Sequence, residues 1–152
     1  MKIYLAGPCD TDHRTIMVNV ARRLRGWNRE VYCPWELKIE NAWDMPQEEW
    51  AVKVFNEDIK AINECDVVVM ISIGRESTAG TNWEQGYAYA LGKRIYVIQI
   101  TDKPTSLMTY CGCTDFVNSS EKDLKNTLVW VNNMIDDEEG IDLPHRCSTI
   151  LT

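Results

Sequence analysis

The hydrophobic positions along the chain switch repeatedly between strand-like runs and a helical period. An apolar run at residues 3–7 predicts a first strand. Residues 13–27 carry apolar side chains at helical spacing and arginines between them, which predicts an amphipathic helix that covers the sheet. Residues 30–33 predict a brief second strand, and residues 35–46 form a loop rich in aromatic and polar side chains.

The second half of the chain continues this alternation. Residues 48–64 predict a helix with Phe55, Ile59 and Ile62 on one stripe. Residues 66–73 are almost continuously apolar, as is typical of a strand buried on both faces. A helix in the segment from residue 80, a strand at 95–100 and a last helix at 122–135 complete the pattern.

Strands that alternate with helices indicate an α/β protein with a doubly wound parallel sheet of about five strands and helices on both faces. At 152 residues we expect a single domain over residues 1–152. Ligands of such sheets bind beyond the carboxyl ends of the strands. Those ends lie at residues 7–12, 34–43, 74–80 and 101–108.

Charge narrows the classes of partner. The formal net charge of −7 opposes binding of nucleic acid or of an anionic membrane surface, so a small-molecule partner fits better. The longest apolar runs are too short to span a bilayer, and the N-terminus leads directly into strand-like sequence. We therefore expect a cytoplasmic protein.

The six cysteines have two interpretations. Without a secretion signal we expect reduced thiols. Alternatively, Cys111 and Cys113 together with His145 and Cys147 supply four potential zinc ligands, although neither pair has the spacing of a structural zinc site.

Glu84 has both a structural and a chemical interpretation. Thr81 and Glu84 fit a capping box, in which Thr81 caps a helix and Glu84 binds back to the N–H of the cap. A carboxylate in the first turn of a helix also feels the positive end of the helix dipole, which favours its ionised form. Because this helix start faces the expected ligand crevice, Glu84 is a candidate nucleophile.

Asp58 is a second candidate. It lies three residues after Phe55 and four before Ile62, so helical geometry places it beside the apolar stripe. It is either a partly exposed flanking residue or a carboxylate that the site uses. Two carboxylates at one crevice suggest glycosyl chemistry, with one as nucleophile and the other exchanging a proton.

Five short segments follow one another along the chain in a characteristic order. The chain begins with KIYLAGP at residues 2–8, and NEDI at 56–59 precedes DVVV at 66–69. GTNWEQGYA at 80–88 and KPTSLM at 103–108 follow in the same order and at similar spacing. Together these segments resemble the nucleoside 2′-deoxyribosyltransferase family, and the similarity extends from residue 2 to about residue 110.

This resemblance implies a flavodoxin-like fold and an enzyme of nucleotide salvage, without cofactor or metal. It would cleave the N-glycosidic bond of a 2′-deoxynucleoside and transfer the sugar to another nucleobase. Glu84 would be the nucleophile, Asp58 the group that exchanges a proton with the base, and Tyr4 the tyrosine that orients Glu84. Ser106 and Met108 would reach the site of a neighbouring subunit, so a homo-oligomer is expected.

Other residues at the strand ends are candidates for substrate binding. We expect Gly7, Gly80 and Thr78 to approach the sugar. Three tryptophans are candidates for stacking on a base: Trp35, Trp43 and Trp83.

Two positions depart from the family pattern. Thr78 stands where the transferases commonly have Asp, and Ser106 stands where they commonly have Asn. Related deoxynucleotide N-glycosidases use hydroxyls there to receive a 5′-phosphate. However, the first loop carries Asp10 and Asp12, which would repel a phosphate. The alternatives are therefore a transferase, a 5′-monophosphate N-glycosidase with the same nucleophile, and a non-catalytic nucleotide-binding module.

Overall fold

A computed structural model describes residues 1–143 of the chain. Within these residues a five-stranded sheet has the order β2-β1-β3-β4-β5, and every neighbouring pair is parallel. The strands are β1 (Lys2–Ala6), β2 (Glu30–Tyr32), β3 (Val67–Ser72), β4 (Arg94–Gln99) and β5 (Asp115–Asn118). This order is that of a flavodoxin-like doubly wound sheet, so the predicted fold class is confirmed.

Five α-helices connect or follow these strands in the described part of the chain. They are α1 (Arg14–Gly26), α2 (Gln47–Glu64), α3 (Ala79–Ala90), α4 (Leu107–Cys111) and α5 (Leu124–Asp137). The predicted strands and long helices agree with these bounds to within about two residues. Strand β5 and helix α4 were not located from the sequence, because neither carries a long apolar run.

The two faces of the sheet bury two separate hydrophobic clusters. Side chains of α1 and α5 pack on one face with Ile3 and Leu5 of β1. The other face carries Tyr4 and Ala6, which pack with buried residues of α2 and α3. Because successive side chains of a strand point to opposite faces, Tyr4 is directed toward α2 and α3.

The predicted cap of α3 is wrong. The helix begins at Ala79, and Thr78 is its N-cap, with Oγ1 accepting a hydrogen bond of 3.3 Å from the N–H of Thr81. Glu84 is consequently the sixth residue of the helix and not part of a capping box. The helix dipole acts mainly within the first turn, so it does not determine the charge of Glu84.

The predicted stripe of α2 is buried only at its C-terminal end. Ile62 is fully buried, whereas Phe55 is 53% exposed.

In residues 1–143, no helix combines the length and the apolar character needed to cross a membrane.

Candidate active site

Two tyrosines on neighbouring strands form the floor of the candidate site. Tyr4 of β1 and Tyr32 of β2 are partners in the parallel register. Their rings stack with centroids 5.5 Å apart and planes inclined by 15°. Tyr4 is completely buried and Tyr32 is half-buried, so both hydroxyls are held at fixed positions on the α2/α3 face of the sheet.

Glu84 of α3 lies over Tyr4. Thr81, Gln85 and Ala88 form the buried face of α3, and Glu84 is one turn after Thr81 on that face. The Tyr4 hydroxyl donates a hydrogen bond of 2.9 Å to Oε1 of Glu84. The contact predicted between these two residues is therefore present.

Asp58 of α2 has an equivalent arrangement with Tyr32. It lies one turn before the buried Ile62, so the helix directs it toward the sheet. The Tyr32 hydroxyl donates a hydrogen bond of 2.8 Å to Oδ1 of Asp58. Asp58 is therefore held in place and is not merely an exposed flank of α2.

The tyrosine hydroxyls contact only one oxygen of each carboxylate. Among the described residues, neither Oε2 of Glu84 nor Oδ2 of Asp58 has a hydrogen-bond partner. Both residues line one cavity of about 380 Å³ between α2 and α3. The remaining lining is mostly apolar and comprises Trp50, Ala51, Val54, Phe55, Ile59, Gly80 and Trp83.

Burial dominates the electrostatics of Glu84. Burial, together with the smaller effect of the charge of Asp58, raises the pKa of the carboxyl from its ordinary 4.5 to about 7. The hydrogen bond from Tyr4 acts in the opposite direction, because it stabilises the ionised form. Glu84 therefore titrates near neutrality, contrary to the expectation that its position keeps it ionised.

The pKa values of Asp58 and of the two tyrosines are also raised. Burial raises the pKa of Asp58, and the hydrogen bond from Tyr32 opposes this shift. Burial and the adjacent carboxylates raise the pKa of Tyr4 and of Tyr32 well above the ordinary range of tyrosine. Both hydroxyls therefore remain protonated and act as hydrogen-bond donors.

The residues predicted to bind substrate are arranged in two groups. Gly80 lines the cavity with Glu84. The carbonyl of Gly7 accepts a hydrogen bond of 2.7 Å from Oγ1 of Thr81, which joins the end of β1 to the start of α3. A Cβ atom at residue 7 would lie 2.4 Å from Cε of Met17, so a side chain there requires the end of the Met17 side chain to shift.

Ser106 and Met108 belong to a different place. They line a second cavity of about 360 Å³ together with Asn82, Gln85 and Gly86 of α3. Neither residue lines the cavity of Glu84 and Asp58. Ser106 caps the short helix α4 by accepting from the N–H of Met108 at 3.2 Å, and the side chain of Met108 is 82% exposed.

The three candidate tryptophans lie in different parts of the structure. Trp83 lines the cavity, with its ring 5.5 Å from Phe55 and 5.4 Å from Tyr87 between centroids. Trp35 donates through Nε1 to the carbonyl of Pro8 at 3.0 Å and does not line the cavity. Trp43 is fully exposed.

The cysteines of the described chain differ in their oxidation state. Cys9, Cys33 and Cys65 are reduced thiols, whereas Cys111 is disulfide-bonded, so the expectation of reduced thiols is wrong at that position. Within residues 1–143, no group of three or more His, Cys, Asp or Glu side chains could hold a metal ion. His145 and Cys147, which the zinc alternative requires, lie outside the described residues.

Tyr32 is the site residue that sequence reasoning missed. A signal for it existed, because a tyrosine at the end of a strand next to β1 can lie beside Tyr4. The parallel register that places the two side by side was not read from the sequence.

Comparison with known proteins agrees with this geometry. The sequence model of the nucleoside 2-deoxyribosyltransferase family matches residues 3–140. No curated protein sequence matches the chain significantly. Among solved structures, the 2-deoxyribosyltransferase of the psychrotolerant bacterium Bacillus psychrosaccharolyticus is 26% identical, with a TM-score of 0.69 over 84% of this chain and 96% of that one.

Two more distant structures share the fold. The CMP N-glycosidase of Clostridium botulinum is 19% identical, with a TM-score of 0.61 over 85% of this chain and 99% of that one. A conserved protein from Enterococcus faecalis is 18% identical, with a TM-score of 0.58 over 86% of this chain and 98% of that one. The family match covers nearly the whole described chain, so this protein belongs to the nucleoside 2-deoxyribosyltransferase family, whose members act on the N-glycosidic bonds of nucleosides.

Proposed function

We propose that this protein is a nucleoside 2′-deoxyribosyltransferase that works through a covalent deoxyribosyl-Glu84 intermediate. One observation carries the proposal. Glu84 and Asp58 each bind a stacked tyrosine through one oxygen, and both line the same cavity. Such a pair offers a nucleophile and a proton-exchanging group to the two sides of one glycosidic bond.

In the first half-reaction, an oxygen of ionised Glu84 attacks C1′ of the deoxyribose. The C1′–N bond breaks as the C1′–O bond forms, and the proton of Asp58 moves to the departing base. In the second half-reaction, a nitrogen of the acceptor base attacks C1′ and gives its proton to Asp58. Glu84 then leaves as the carboxylate, so charge and protons balance over the cycle.

Transfer requires that an acceptor base reach C1′ before water does. The cavity supports this selection because Trp50, Phe55 and Trp83 offer aromatic surfaces on which a flat base can stack in place of water. A base that stacks there is held beside Asp58. We propose that Gly80 leaves room for the sugar, since no atom lies near the position of an added Cβ.

The hydroxyls that suggested a 5′-phosphate site have structural tasks in this chain. Thr78 caps α3, and its Oγ1 lies 2.8 Å from Oγ1 of Thr81. Ser106 caps α4. In the first loop, Asp10 accepts from Nδ1 of His13 at 2.6 Å, which occupies a side chain that could have held a phosphate. These contacts favour a nucleoside over its 5′-monophosphate.

We further propose that the active form is a homo-oligomer in which Ser106 and Met108 complete the site of a neighbouring subunit. Both residues lie away from Glu84 within one chain. Met108 and Leu107 are 82% and 80% exposed, so α4 presents apolar side chains at the surface.

The test is chromatography of the products from deoxyinosine or deoxynucleoside 5′-monophosphates, each with and without adenine or cytosine as acceptor. A new deoxynucleoside that forms only with an acceptor is the expected result. Base release mainly from the monophosphates would instead identify an N-glycosidase. Ligand binding without any base release would identify a binding module.

The matched variants are Glu84→Gln and Glu64→Gln. Glu64 is a surface carboxylate at the last position of α2, so its loss should leave activity unchanged. Glu84→Gln should abolish transfer and also the mass increase of the protein by one deoxyribosyl group after brief exposure to substrate. Turnover near the wild-type rate in Glu84→Gln would exclude Glu84 as the nucleophile.

A further inference from the structure

Tyr32 has a contact that the reaction outlined above does not yet use. It ends β2, beside Tyr4, and its hydroxyl donates a hydrogen bond of 2.8 Å to Oδ1 of Asp58. Asp58 is on a helix and Tyr32 is on a strand, so the bond links the wall of the cavity to the floor of the sheet. Rotation of the Asp58 carboxyl about χ2 would break this bond.

We propose that Tyr32 is the positioning residue of Asp58, which holds Oδ1 so that Oδ2 faces the base and exchanges its proton. This inference rests on the proposed function. It gives the two carboxylates matched supports: Tyr4 orients the oxygen that attacks the sugar, and Tyr32 orients the oxygen that handles the proton. Stacking of the two rings couples the two supports mechanically.

Tyr32 does not supply the proton itself. Burial and the adjacent Asp58 raise its pKa far above that of free tyrosine, so its hydroxyl proton stays in place through the cycle. The hydroxyl can donate to Oδ1 whether Oδ2 carries a proton or not. Tyr32 therefore stabilises the protonated and the ionised forms of Asp58 in the same geometry, as a reversible proton exchange requires.

The charges around Asp58 come from every element packed against it. Glu57 lies on the same helix, Glu84 faces it from α3, and the hydroxyls of Tyr4 and Tyr32 face it from the sheet. The thiol of Cys9, in the loop after β1, also senses the charge of Asp58. Of these groups, Tyr32 is the hydrogen-bond donor to Asp58, so its removal shifts the titration of Asp58 toward higher pH.

The first test reads the protonation of Asp58 without any substrate. Protein labelled with ¹³C at the aspartate carboxyls is titrated by NMR, with Asp58→Asn used to assign the resonance. Tyr32→Phe keeps the ring stack and removes only the hydroxyl, and it should raise the pKa of Asp58. Tyr87→Phe is the matched control, because Tyr87 is also a stacked tyrosine but donates to Asn63 at 3.2 Å. An unchanged Asp58 titration in Tyr32→Phe would overturn the proposal.

The second test separates proton exchange from nucleophilic attack. A nitrophenyl 2-deoxyriboside has a leaving group that needs no proton, whereas a purine deoxynucleoside does. Tyr32→Phe should lower kcat for the deoxynucleoside by about 10- to 100-fold with little change in KM, and leave cleavage of the nitrophenyl substrate almost unchanged. In an Asp58→Asn background, Tyr32→Phe should have no further effect.

Equal losses with both substrates, or losses that multiply with those of Asp58→Asn, would show that Tyr32 acts only through general packing. If wild-type protein cleaved neither substrate, the proposed function would fail, and the NMR titration would still decide whether Tyr32 controls Asp58.

Discussion

Tyr4 and Tyr32 occupy partnered positions on adjacent parallel strands, and each donates its hydroxyl to a different carboxylate. A single stacked pair therefore fixes Glu84 of α3 and Asp58 of α2 relative to one another. The two helices need no direct contact between their carboxylates for this alignment.

The burial of Glu84 should make the protein less stable as pH rises. The folded-state pKa of about 7 lies above the ordinary 4.5, so the fold favours the protonated form. Its stabilising contribution is complete below about pH 4.5 and is lost as the pH rises through about 7, with a total of about 3 kcal/mol. Glu84→Gln should therefore unfold at higher urea concentration than wild type at about pH 8.5 and at a similar concentration at about pH 5. Glu64→Gln should unfold at the wild-type urea concentration at both pH values. The same result for Glu84→Gln would show that ionising the buried Glu84 does not destabilise the fold.

Tyr4→Phe should move the pH profile of the reaction upward. The Tyr4 hydrogen bond lowers the pKa of Glu84, so its removal raises that pKa and delays formation of the nucleophile. We expect the rising limb of kcat/KM against pH to shift to higher pH. At neutral pH kcat/KM should fall by about 10- to 100-fold, as is typical for loss of a hydrogen bond to a charged group. A profile that keeps its midpoint would show that Tyr4 does not tune Glu84.

Asp58→Asn should shift the rising limb of kcat/KM against pH to lower pH. The charge of Asp58 raises the pKa of Glu84, and asparagine carries no charge. The measurement needs a nitrophenyl 2-deoxyriboside, because the variant should lose about 10²- to 10⁴-fold in rate on substrates whose base requires a proton. A shift to higher pH, or an unchanged rate on purine deoxynucleosides, would contradict the role assigned to Asp58.

Met108→Glu should weaken both assembly and activity. The side chain of Met108 is 82% exposed within one chain, and a charge there would oppose burial against a second copy. Analytical ultracentrifugation should show an oligomer for wild type and smaller species for the variant, with turnover reduced in parallel. Val129→Glu, at an exposed apolar position of α5, is the control and should change neither. A fully active wild-type monomer would contradict the proposal.

Most of the fold could be predicted because the sheet strands and long helices have clear periods. Val67–Ser72 is buried throughout, as a continuous apolar run predicts. Strand β5 could not be located in the same way, since Asp115–Asn118 is a short edge strand that is only partly buried.

Local spacing in the sequence singled out Glu84 and Asp58 as candidates. The features of the site that depend on tertiary contacts could not be predicted in this way. Thr81 fitted the cap of α3 in the local sequence, but its hydroxyl donates to the carbonyl of Gly7, directly after β1, and Thr78 is the cap instead. Likewise, burial and not the helix terminus determines the pKa of Glu84. Tyr32 required knowledge of the strand register, which no local pattern carries.

The close approach of Met17 to Gly7 has an evolutionary consequence. Met17 is fully buried, and the end of its side chain fills the space where a Cβ of residue 7 would lie. An alanine at position 7 is compatible only with a shorter side chain, or a different rotamer, at position 17. The two positions are therefore epistatic: a side chain at 7 costs least when residue 17 is shorter, because an unshortened Met17 must first turn its side chain away.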